Sequence, residues 1–193
     1  MFDTETGGLK KESSLLTVFG YMLNDRLDIT SQVSYAIKAP LGVYVVEAKG
    51  LEVNRINLVE HDKTATPLVE VKAAFKNTVC KWNFNGGNQK ITPIGHNVRF
   101  DVKFVKWHLM PDWDNYFDRR HIDTASIAKF LQLSGAFPGL TSFSLSDIAL
   151  FLGIPIKEEE LHTAKGDVDL TLAILRKFKQ MVRFQKERVE ENI

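Results

Sequence analysis

The first nine residues, Met1–Leu9, set the strongest constraint on what this chain can fold into. They place Asp3 and Glu5 one residue apart within a run of apolar and hydroxyl-bearing residues. Because side chains alternate between the two faces of a strand, Asp3 and Glu5 would lie side by side on one face. Two neighbouring carboxylates repel each other unless a cation lies between them. Met1–Leu9 is therefore either a surface turn with two hydrated acids or a strand that contributes to a cation site.

Composition limits the kinds of protein that the chain can be. With 193 residues, of which 44% are hydrophobic and 25% are charged, it can form one domain with a sizeable core. The formal net charge of +1 means that a polyanion would have to be bound by a local site or through metal, not by overall charge. The single cysteine, Cys80, excludes an internal disulfide and is interpreted as a small buried hydrophobic residue.

The sequence also gives an expectation about membranes and about the start of the chain. It has no apolar run near the roughly 20 residues that a membrane-spanning helix needs, and no basic-then-apolar signal peptide. We therefore expect a soluble, cytoplasmic protein that makes no contact with membranes. Only two residues precede Asp3, so either the first strand is short or the natural chain begins upstream of Met1.

The order of the predicted elements indicates the fold class. Strands are predicted early and helices later, which is typical of an α/β fold with a mixed central sheet flanked by helices in a single domain. The predicted strands are a first strand that ends before the Gly7-Gly8 turn, followed by Ser14–Leu23, Leu27–Ile37 and Ile91–Ile94. The predicted helices begin at Thr66, Val98, Asp123 and Ser144, and a long C-terminal helix is expected at about 167–184.

Three other segments have less regular patterns. Trp82–Gln89 is polar and contains glycine, so it is predicted to be a flexible loop. Val43–Ala48 has strand propensity but ends in a helix C-terminal signal, so its pattern is ambiguous. In the helix that begins at Asp123, the residues expected to face inward are Ile127, Phe130, Leu131 and Leu133.

Three motifs carry acidic and histidine residues: D-T-E-T at 3–6, H-N-V-R-F-D at 96–101 and H-T-A-K-G-D at 162–167. In this combination and order the sequence resembles the DEDDh (DnaQ-like) superfamily of 3′→5′ exonucleases, which has a ribonuclease H-like fold. The connecting segments SLSDIALFLGIP and HIDT also match, so the resemblance extends from Met1 to about Lys177. It implies that VYVVEAKGL is a short helix. The chain departs from the family at Gly7, where many members have Thr.

The resemblance implies a role for each matching position. Four carboxylates would ligate two divalent cations, Mg²⁺ or Mn²⁺, and these are Asp3, Glu5, Asp101 and Asp167. Hard carboxylate oxygens suit both ions. His162 would be the general base, because a near-neutral imidazole can deprotonate the attacking water. The terminal nucleotide would be bound by five residues, of which Thr6 and Leu9 lie beside it and His96, Asn97 and Phe100 form the wall of the site.

The resemblance and this chemistry predict a metal-dependent 3′→5′ exonuclease. It would hydrolyse the last phosphodiester at the 3′ end of single-stranded DNA or RNA and release 5′-mononucleotides. Two narrower interpretations stay open: an RNA-processing exoribonuclease resembling oligoribonuclease or RNase T, which would form a homodimer, and a proofreading subunit with a polymerase partner. A non-catalytic 3′-end binder is a further alternative. Such a protein should have lost one of the acids or the base, and the motifs here contain all of them. The choice between DNA and RNA depends on the pocket around the 2′-OH and stays open.

Aromatic side chains add a prediction about base stacking. Trp82 and Phe84 are the stronger stacking candidates because they lie in the predicted loop. Trp107 lies on the apolar helical stripe of Phe100 and Phe104, so it is predicted to pack in the core.

Overall fold

Three antiparallel strands form the centre of the molecule, in the order β1–β2–β3. The structure is a computed structural model that describes residues 1–85, 89–159 and 161–190, with the backbone alone at residue 85 and residues 183–190. A two-residue strand pairs in parallel with β3, and two more short strands pair in parallel with each other. The strands are β1 (Phe2–Thr6), β2 (Leu15–Leu23), β3 (Ile29–Lys38), β4 (Thr66–Pro67), β5 (Ile94–Gly95) and β6 (Ile122–Asp123). The strands therefore form the mixed arrangement expected from the sequence.

The helices follow β1 to β3 in the chain, with the short strands β4 to β6 between them, and pack around the sheet. They are α1 (Ala48–Asn54), α2 (Leu58–Thr64), α3 (Leu68–Asn85), α4 (Arg99–His108), α5 (Thr124–Leu133), α6 (Leu145–Phe151) and α7 (Ala164–Glu190). Two of the predicted helix starts are capped by their side chains, since Asp123 accepts a hydrogen bond from the Ser126 N–H and Ser144 accepts one from the Asp147 N–H. In the part of the chain that the structure describes, no helix is both long enough and apolar enough to cross a membrane.

The two faces of β2 belong to different parts of the core. Val18 packs in the cluster formed with α3 and α4, whereas its neighbour Phe19 packs in the cluster formed with α7. Because neighbouring strand residues point to opposite faces, α3 and α4 cover one face of the sheet and α7 covers the other. A third cluster joins α5 and α6 to α7 through Ile148 and Ile174. The acidic end of β1 therefore lies between α4 on one side and α7 on the other.

The prediction of a flexible loop at Trp82–Gln89 is wrong for residues 82–85, which are helical. Helix α3 continues through Asn85, because Trp82 packs against the core cluster of Val79 and holds the last turn in place. Residues 86–88 lie outside the described residues. The C-terminal helix is also longer than expected, since α7 runs from Ala164 to Glu190.

Other element boundaries differ by a few residues. Thr66 and Pro67 pair with β3, so α3 begins at Leu68 and not at Thr66. The short strand predicted at Ile91–Ile94 is reduced to a bridge at Ile91 and to β5 at Ile94–Gly95. The segment VYVVEAKGL is only partly helical, because Val43–Glu47 is irregular and α1 begins at Ala48.

The inward face of α5 also differs from the prediction. Phe130 and Leu133 are 67% and 72% exposed. The buried positions are Thr124 and Ala128, which lie one turn apart and define a stripe that excludes Phe130 and Leu133.

Candidate active site

Strand alternation places the first two acids on one face of β1. Asp3 and Glu5 share that face, and the start of α7 places Asp167 opposite them. One carboxylate oxygen from each of Asp3, Glu5 and Asp167 lies within 4.8 Å of the others. All three side chains are partly buried. The fold thus brings Asp167 into one acidic cluster with Asp3 and Glu5, which lie 164 and 162 positions before it in the sequence.

The fourth acid, Asp101, is held from the other side of β1. Its Oδ1 accepts a hydrogen bond of 3.0 Å from the backbone N–H of Thr4 and one of 2.7 Å from the Thr4 hydroxyl. The side chain is buried at the first turn of α4. Among the described residues Asp101 is not part of the 4.8 Å group, but its charge is the strongest electrostatic influence on Asp3 from a neighbouring side chain.

The four carboxylates perturb each other strongly. Burial, followed by the charges of Asp101, Glu5 and Asp167, raises the pKa of Asp3 well above its usual range. Burial and the charges of Asp167 and Asp101 raise the pKa of Glu5 to about 8. Burial raises the pKa of Asp101 to about 7 even though Thr4 donates two hydrogen bonds to it, and burial raises the pKa of Asp167 as well. Fully ionised, the cluster is therefore costly unless positive charge enters it.

The donor set fits hard divalent cations. Carboxylate oxygens are the ligands that Mg²⁺ and Mn²⁺ prefer, and three of them already lie close enough to share an ion. A cation would also offset the repulsion between carboxylates that contributes to the raised pKa values of Asp3, Glu5 and Asp101. Asp3, Glu5 and Asp167 could hold one ion, and Asp101 adds a fourth carboxylate beside them.

His162 lies immediately before α7, next to this cluster. Its backbone N–H donates a long hydrogen bond of 3.4 Å to Asp167 Oδ1, and its side chain is exposed. Its φ of 60° is in the left-handed region, which is uncommon for a residue other than glycine. The Thr163 hydroxyl accepts a hydrogen bond from the Gly166 N–H and caps the helix that follows. The turn therefore positions His162 and Asp167 close together without placing them on one helix face.

A pocket of about 300 Å³ opens beside Glu5. Three of the residues predicted to bind the terminal nucleotide line it: Thr6, Leu9 and Phe100. Helix α1 supplies the opposite wall through Gly50, Val53 and Asn54, among others. The volume is at the lower end of the range typical of small-molecule sites, so one nucleoside is a suitable size.

The wall of this pocket depends on a close contact between the end of β1 and α1. A Cβ atom at Gly7 would lie 2.5 Å from the backbone oxygen of Val45, and one at Gly50 would lie 2.7 Å from the backbone oxygen of Gly7. The Asn54 side chain donates a hydrogen bond of 3.0 Å to the backbone oxygen of Thr6. Glycine at position 7 is therefore required by the approach of the Val45 segment, which explains the absence of a Thr side chain there.

His96 and Asn97 lie elsewhere. Neither is among the described residues that line the 300 Å³ pocket. His96 Nδ1 is 2.9 Å from the Thr124 hydroxyl, while its buried Nε2 makes no hydrogen bond to any residue that the structure describes. Burial lowers the pKa of His96, which favours the neutral imidazole. Asn97 is exposed with a φ of 54°. Neither side chain therefore lines this pocket with Thr6, Leu9 and Phe100, although the Phe100 N–H donates a hydrogen bond of 3.0 Å to the backbone oxygen of Asn97.

Sequence reasoning missed two residues that shape the site. Thr4 holds Asp101, and Asn54 holds the end of β1. Thr4 lies inside the first motif, between Asp3 and Glu5, so alternation could have assigned it to the opposite face. Asn54 carries no comparable signal, because α1 reaches β1 only through the tertiary fold.

Comparison with known proteins gives sequence relatives that are named DNA polymerase III proteins. No protein-family model matches the chain. It is 26% identical over 175 residues to DNA polymerase III subunit epsilon of Treponema pallidum, which covers 90% of this chain and 72% of the relative. It is 27% identical over 185 residues to the PolC-type DNA polymerase III of Clostridium perfringens, which covers 94% of this chain but 11% of that protein.

Solved structures with the same fold are nucleases. Exonuclease I of E. coli in complex with a dT13 oligonucleotide has a TM-score of 0.70 at 15% identity, over 99% of this chain and 42% of the other. A zinc-bound form of the same enzyme with single-stranded DNA has a TM-score of 0.73 at 16% identity, over 93% of this chain and 40% of the other. Cell-death related nuclease 4 has a TM-score of 0.66 at 14% identity, over 93% of this chain and 62% of the other.

These similarities bear on the fold and on the family that the chain resembles. The chain has the α/β, ribonuclease H-like fold, and the predicted resemblance to the DnaQ-like, DEDD-type 3′→5′ exonucleases is confirmed. It spans about two fifths of the length of exonuclease I and about a tenth of the PolC-type polymerase. The comparisons thus show the fold of exonuclease I and a similarity in sequence to DNA polymerase III subunit epsilon.

Proposed function

We propose that this protein is a metal-dependent 3′→5′ exonuclease of the DEDDh type that removes nucleotides from single-stranded ends. The observation that carries the proposal is the convergence of Asp3, Glu5 and Asp167 within 4.8 Å beside a pocket of nucleoside size. A structural ion-pair network would place basic side chains among such acids. Here the acids instead raise one another's pKa values, which is the arrangement expected of a cation site.

Four carboxylates would hold the cations: Asp3, Glu5, Asp101 and Asp167. Two divalent ions, Mg²⁺ or Mn²⁺, would stabilise the negative charge that develops on the attacking and leaving oxygens of the phosphodiester. Asp101 enters the site already oriented by Thr4, which reduces the number of conformations that the ligand set must lose when it binds an ion.

His162 would act as the general base. Its exposed imidazole lies at the turn before Asp167, where it can accept the proton of the attacking water. The water oxygen would attack the phosphorus in line, and the bond from phosphorus to the 3′ oxygen of the preceding nucleotide would break. That 3′ oxygen takes a proton from solvent, so the products are a 5′-mononucleotide and a strand with a new 3′-OH.

The terminal nucleoside would occupy the 300 Å³ pocket, in contact with Thr6, Leu9 and Phe100. Leu9 is 73% exposed and Phe100 is partly buried, so both can contact an apolar base face. His96 and Asn97 would contribute to the wall from outside this pocket, next to the first turn of α4.

The experiment that tests the proposal is digestion of 5′-labelled DNA and RNA single strands with Mg²⁺ or Mn²⁺. We expect a ladder that shortens from the 3′ end and releases 5′-mononucleotides, and the preferred sugar is read from the same gel. Asp167→Asn, which keeps the size of the side chain, is the matched inactive control. Internal cleavage, shortening from the 5′ end, or full turnover in excess EDTA would refute the proposal.

A second candidate, a proofreading role beside a polymerase, is favoured by the relative that is named a DNA polymerase III subunit. Such an enzyme should remove a mismatched primer terminus several times faster than a matched one. An RNA-processing exoribonuclease should instead prefer short RNA strands and, as a homodimer, should elute at about twice the chain mass of 21.9 kDa. Equal rates on matched and mismatched termini would count against the proofreading role.

A further inference from the structure

The outer side of α4 presents a stripe of aromatic and basic side chains, in which Trp107 is exposed and Phe100 and Lys103 are partly buried. Phe100, Lys103 and Trp107 are spaced by three and four residues, so they lie along one side of the helix. Trp107 is 50% exposed, which contradicts the prediction that it packs in the core. The core side of α4 is instead formed by Phe104 and Val105, both fully buried.

This stripe begins at the pocket proposed for the terminal nucleoside. Phe100 lines the pocket, and the Lys103 ammonium lies 4.8 Å from the centre of its ring. The same ammonium donates a hydrogen bond of 2.8 Å to the backbone oxygen of Leu9, which is also a pocket residue. The rim of the pocket and the stripe are therefore one continuous surface.

The segment after Leu9 adds positive charge to the far end of the stripe. The Lys11 ammonium lies 4.1 Å from the centre of the Trp107 ring, and Lys10 is exposed beside it in the chain. His108 Nε2 lies 2.9 Å from the backbone oxygens of both Lys11 and Ser13, so this segment is fixed against the end of α4. Lys11 is thus held next to the indole, and Lys10 precedes it in the same fixed segment.

We propose that this surface, formed by Phe100, Lys103, Trp107, Lys10 and Lys11 and here called the α4 stripe, binds the nucleotides that precede the terminal one in a single strand. The proposal rests on the exonuclease function proposed above. Trp107 is the stacking platform for a base, while the lysines contact the phosphates. Seven residues of helix separate Phe100 from Trp107, a distance of about 10 Å, which matches roughly three stacked nucleotides at about 3.4 Å each.

Overall charge makes a local surface necessary. The formal net charge is +1, so attraction of a polyanion has to come from clusters such as the three lysines of the α4 stripe. A single strand needs both features found here, since aromatic rings bind bases of any sequence and cations bind the backbone.

A second basic pocket lies at the other side of the start of α4, and it is the rival path for the strand. Its lining includes Arg99, Arg119, Arg120 and the exposed ring of Phe130. None of the residues that line this basic pocket also lines the nucleoside pocket. The α4 stripe, in contrast, shares Phe100 with the nucleoside pocket, and its Lys103 donates a hydrogen bond to Leu9. Continuity with the nucleoside pocket therefore favours the α4 stripe.

The test compares a substrate that reaches only the nucleoside pocket with one that extends beyond it. The first is the p-nitrophenyl ester of thymidine 5′-monophosphate, and the second is the oligonucleotide dT8. For Trp107→Ala we expect KM for dT8 to rise about tenfold with little change in kcat, and KM for the ester to stay unchanged. Trp107→Phe keeps an aromatic ring and should restore most of the affinity, which a merely structural role would not predict.

The lysine contribution is measured by salt dependence. Binding of labelled dT8, followed by anisotropy with Ca²⁺ in place of the activating ion, should show a slope of log Kd against log salt that falls by about 0.7 in Lys11→Ala. Lys81→Ala, an exposed lysine on α3, is the matched control and should keep the wild-type slope. Phe130→Ala tests the rival pocket and should bind dT8 like the wild type.

Several results would overturn the proposal. One is an unchanged KM for dT8 in Trp107→Ala, and another is an equal rise in KM for the ester and for dT8 in that variant. A third is weaker binding of dT8 in Phe130→Ala together with unchanged binding in Trp107→Ala. If the wild type hydrolyses neither substrate, the exonuclease function fails, and the anisotropy measurement still decides whether the α4 stripe binds a single strand.

Discussion

The two halves of the acidic cluster are held in different ways. Asp101 is buried and accepts two hydrogen bonds from Thr4, at 3.0 and 2.7 Å. Asp167 is partly buried, and the hydrogen bond that it accepts from the His162 N–H is 3.4 Å long, beyond the usual range. The half beside α4 is therefore fixed by the fold, whereas the half that begins α7 has weaker restraints.

This difference indicates which part of the site has to respond to a ligand. The sheet positions Asp3 and Glu5, and α4 positions Asp101, before any ion is bound. The turn at His162 has a left-handed backbone conformation and an exposed side chain, and the hydrogen bond that it donates to Asp167 is long. The predictions below measure how much catalysis and cation binding depend on each half.

The largest effect is expected from Asp167→Ala. It removes a carboxylate of the 4.8 Å group and the acceptor of the His162 N–H, so both the cation and the base lose their support. Exonuclease turnover should fall by more than about 10⁴-fold, and Mn²⁺ binding measured by calorimetry should weaken in parallel. Asp169→Ala, two residues further along α7, is the control and should retain turnover. Retention of Mn²⁺ binding by Asp167→Ala would show that this half of the cluster is not a ligand.

The next effect is expected from His162→Ala. Loss of the general base should lower kcat by roughly 10²–10⁴-fold while Mn²⁺ affinity stays close to that of the wild type. Imidazole added to the buffer should restore part of the activity of this variant. The control is His121→Ala, which removes a histidine outside the acidic cluster. Wild-type turnover in His162→Ala would make the base assignment wrong.

A smaller effect is expected from Thr4→Val on the fixed half. The substitution keeps the backbone N–H and the shape of the side chain but removes the hydroxyl that donates to Asp101. Mn²⁺ affinity should fall by about 10–100-fold, because a residue that orients a ligand is lost. Thr78→Val removes a hydroxyl that is bonded to the Ala74 oxygen in α3 and should leave Mn²⁺ affinity unchanged. Equal affinities for the two variants would mean that Asp101 needs no orienting partner.

The smallest effect is expected on the pH dependence of stability without metal. Because the folded pKa of Glu5 is about 8 and its usual value is 4.5, the folded state binds more protons than the unfolded state between these values. The free energy of unfolding should therefore be highest below about pH 4.5 for this group and fall as pH rises towards 8, by up to about 1.4 kcal/mol per pH unit. Glu5→Gln should flatten this decline in denaturant titrations. A free energy of unfolding that rises over the same range would contradict the raised pKa.

The same comparison shows what the sequence could predict. Alternation along β1 predicts that Asp3 and Glu5 share one face, and the motif order predicts the approach of Asp167. In the structure one carboxylate oxygen from each of these three residues lies within 4.8 Å of the others. Local signals were sufficient at Asp123 and Ser144, because a capping side chain acts within one turn.

Tertiary packing decided the features that the sequence did not predict. Helix α3 extends past Trp82 because that ring packs on the core, and no pattern inside the loop-like sequence indicates this. Trp107 has the spacing of a core residue, yet the core side of α4 is already occupied by Phe104 and Val105, so Trp107 is left half-exposed. The links from Thr4 to Asp101 and from Asn54 to Thr6 join residues 97 and 48 positions apart, which single-sequence patterns cannot connect.

The most direct test of the central claim is anomalous diffraction from crystals of the protein grown with Mn²⁺ and thymidine 5′-monophosphate. The account predicts anomalous peaks between Asp3, Glu5, Asp101 and Asp167, with carboxylate oxygens at about 2.0–2.2 Å, as is usual for small divalent cations. It also predicts the nucleoside in the pocket between Leu9 and Phe100. Crystals with bound Mn²⁺ at other positions and none among these four acids would contradict the account.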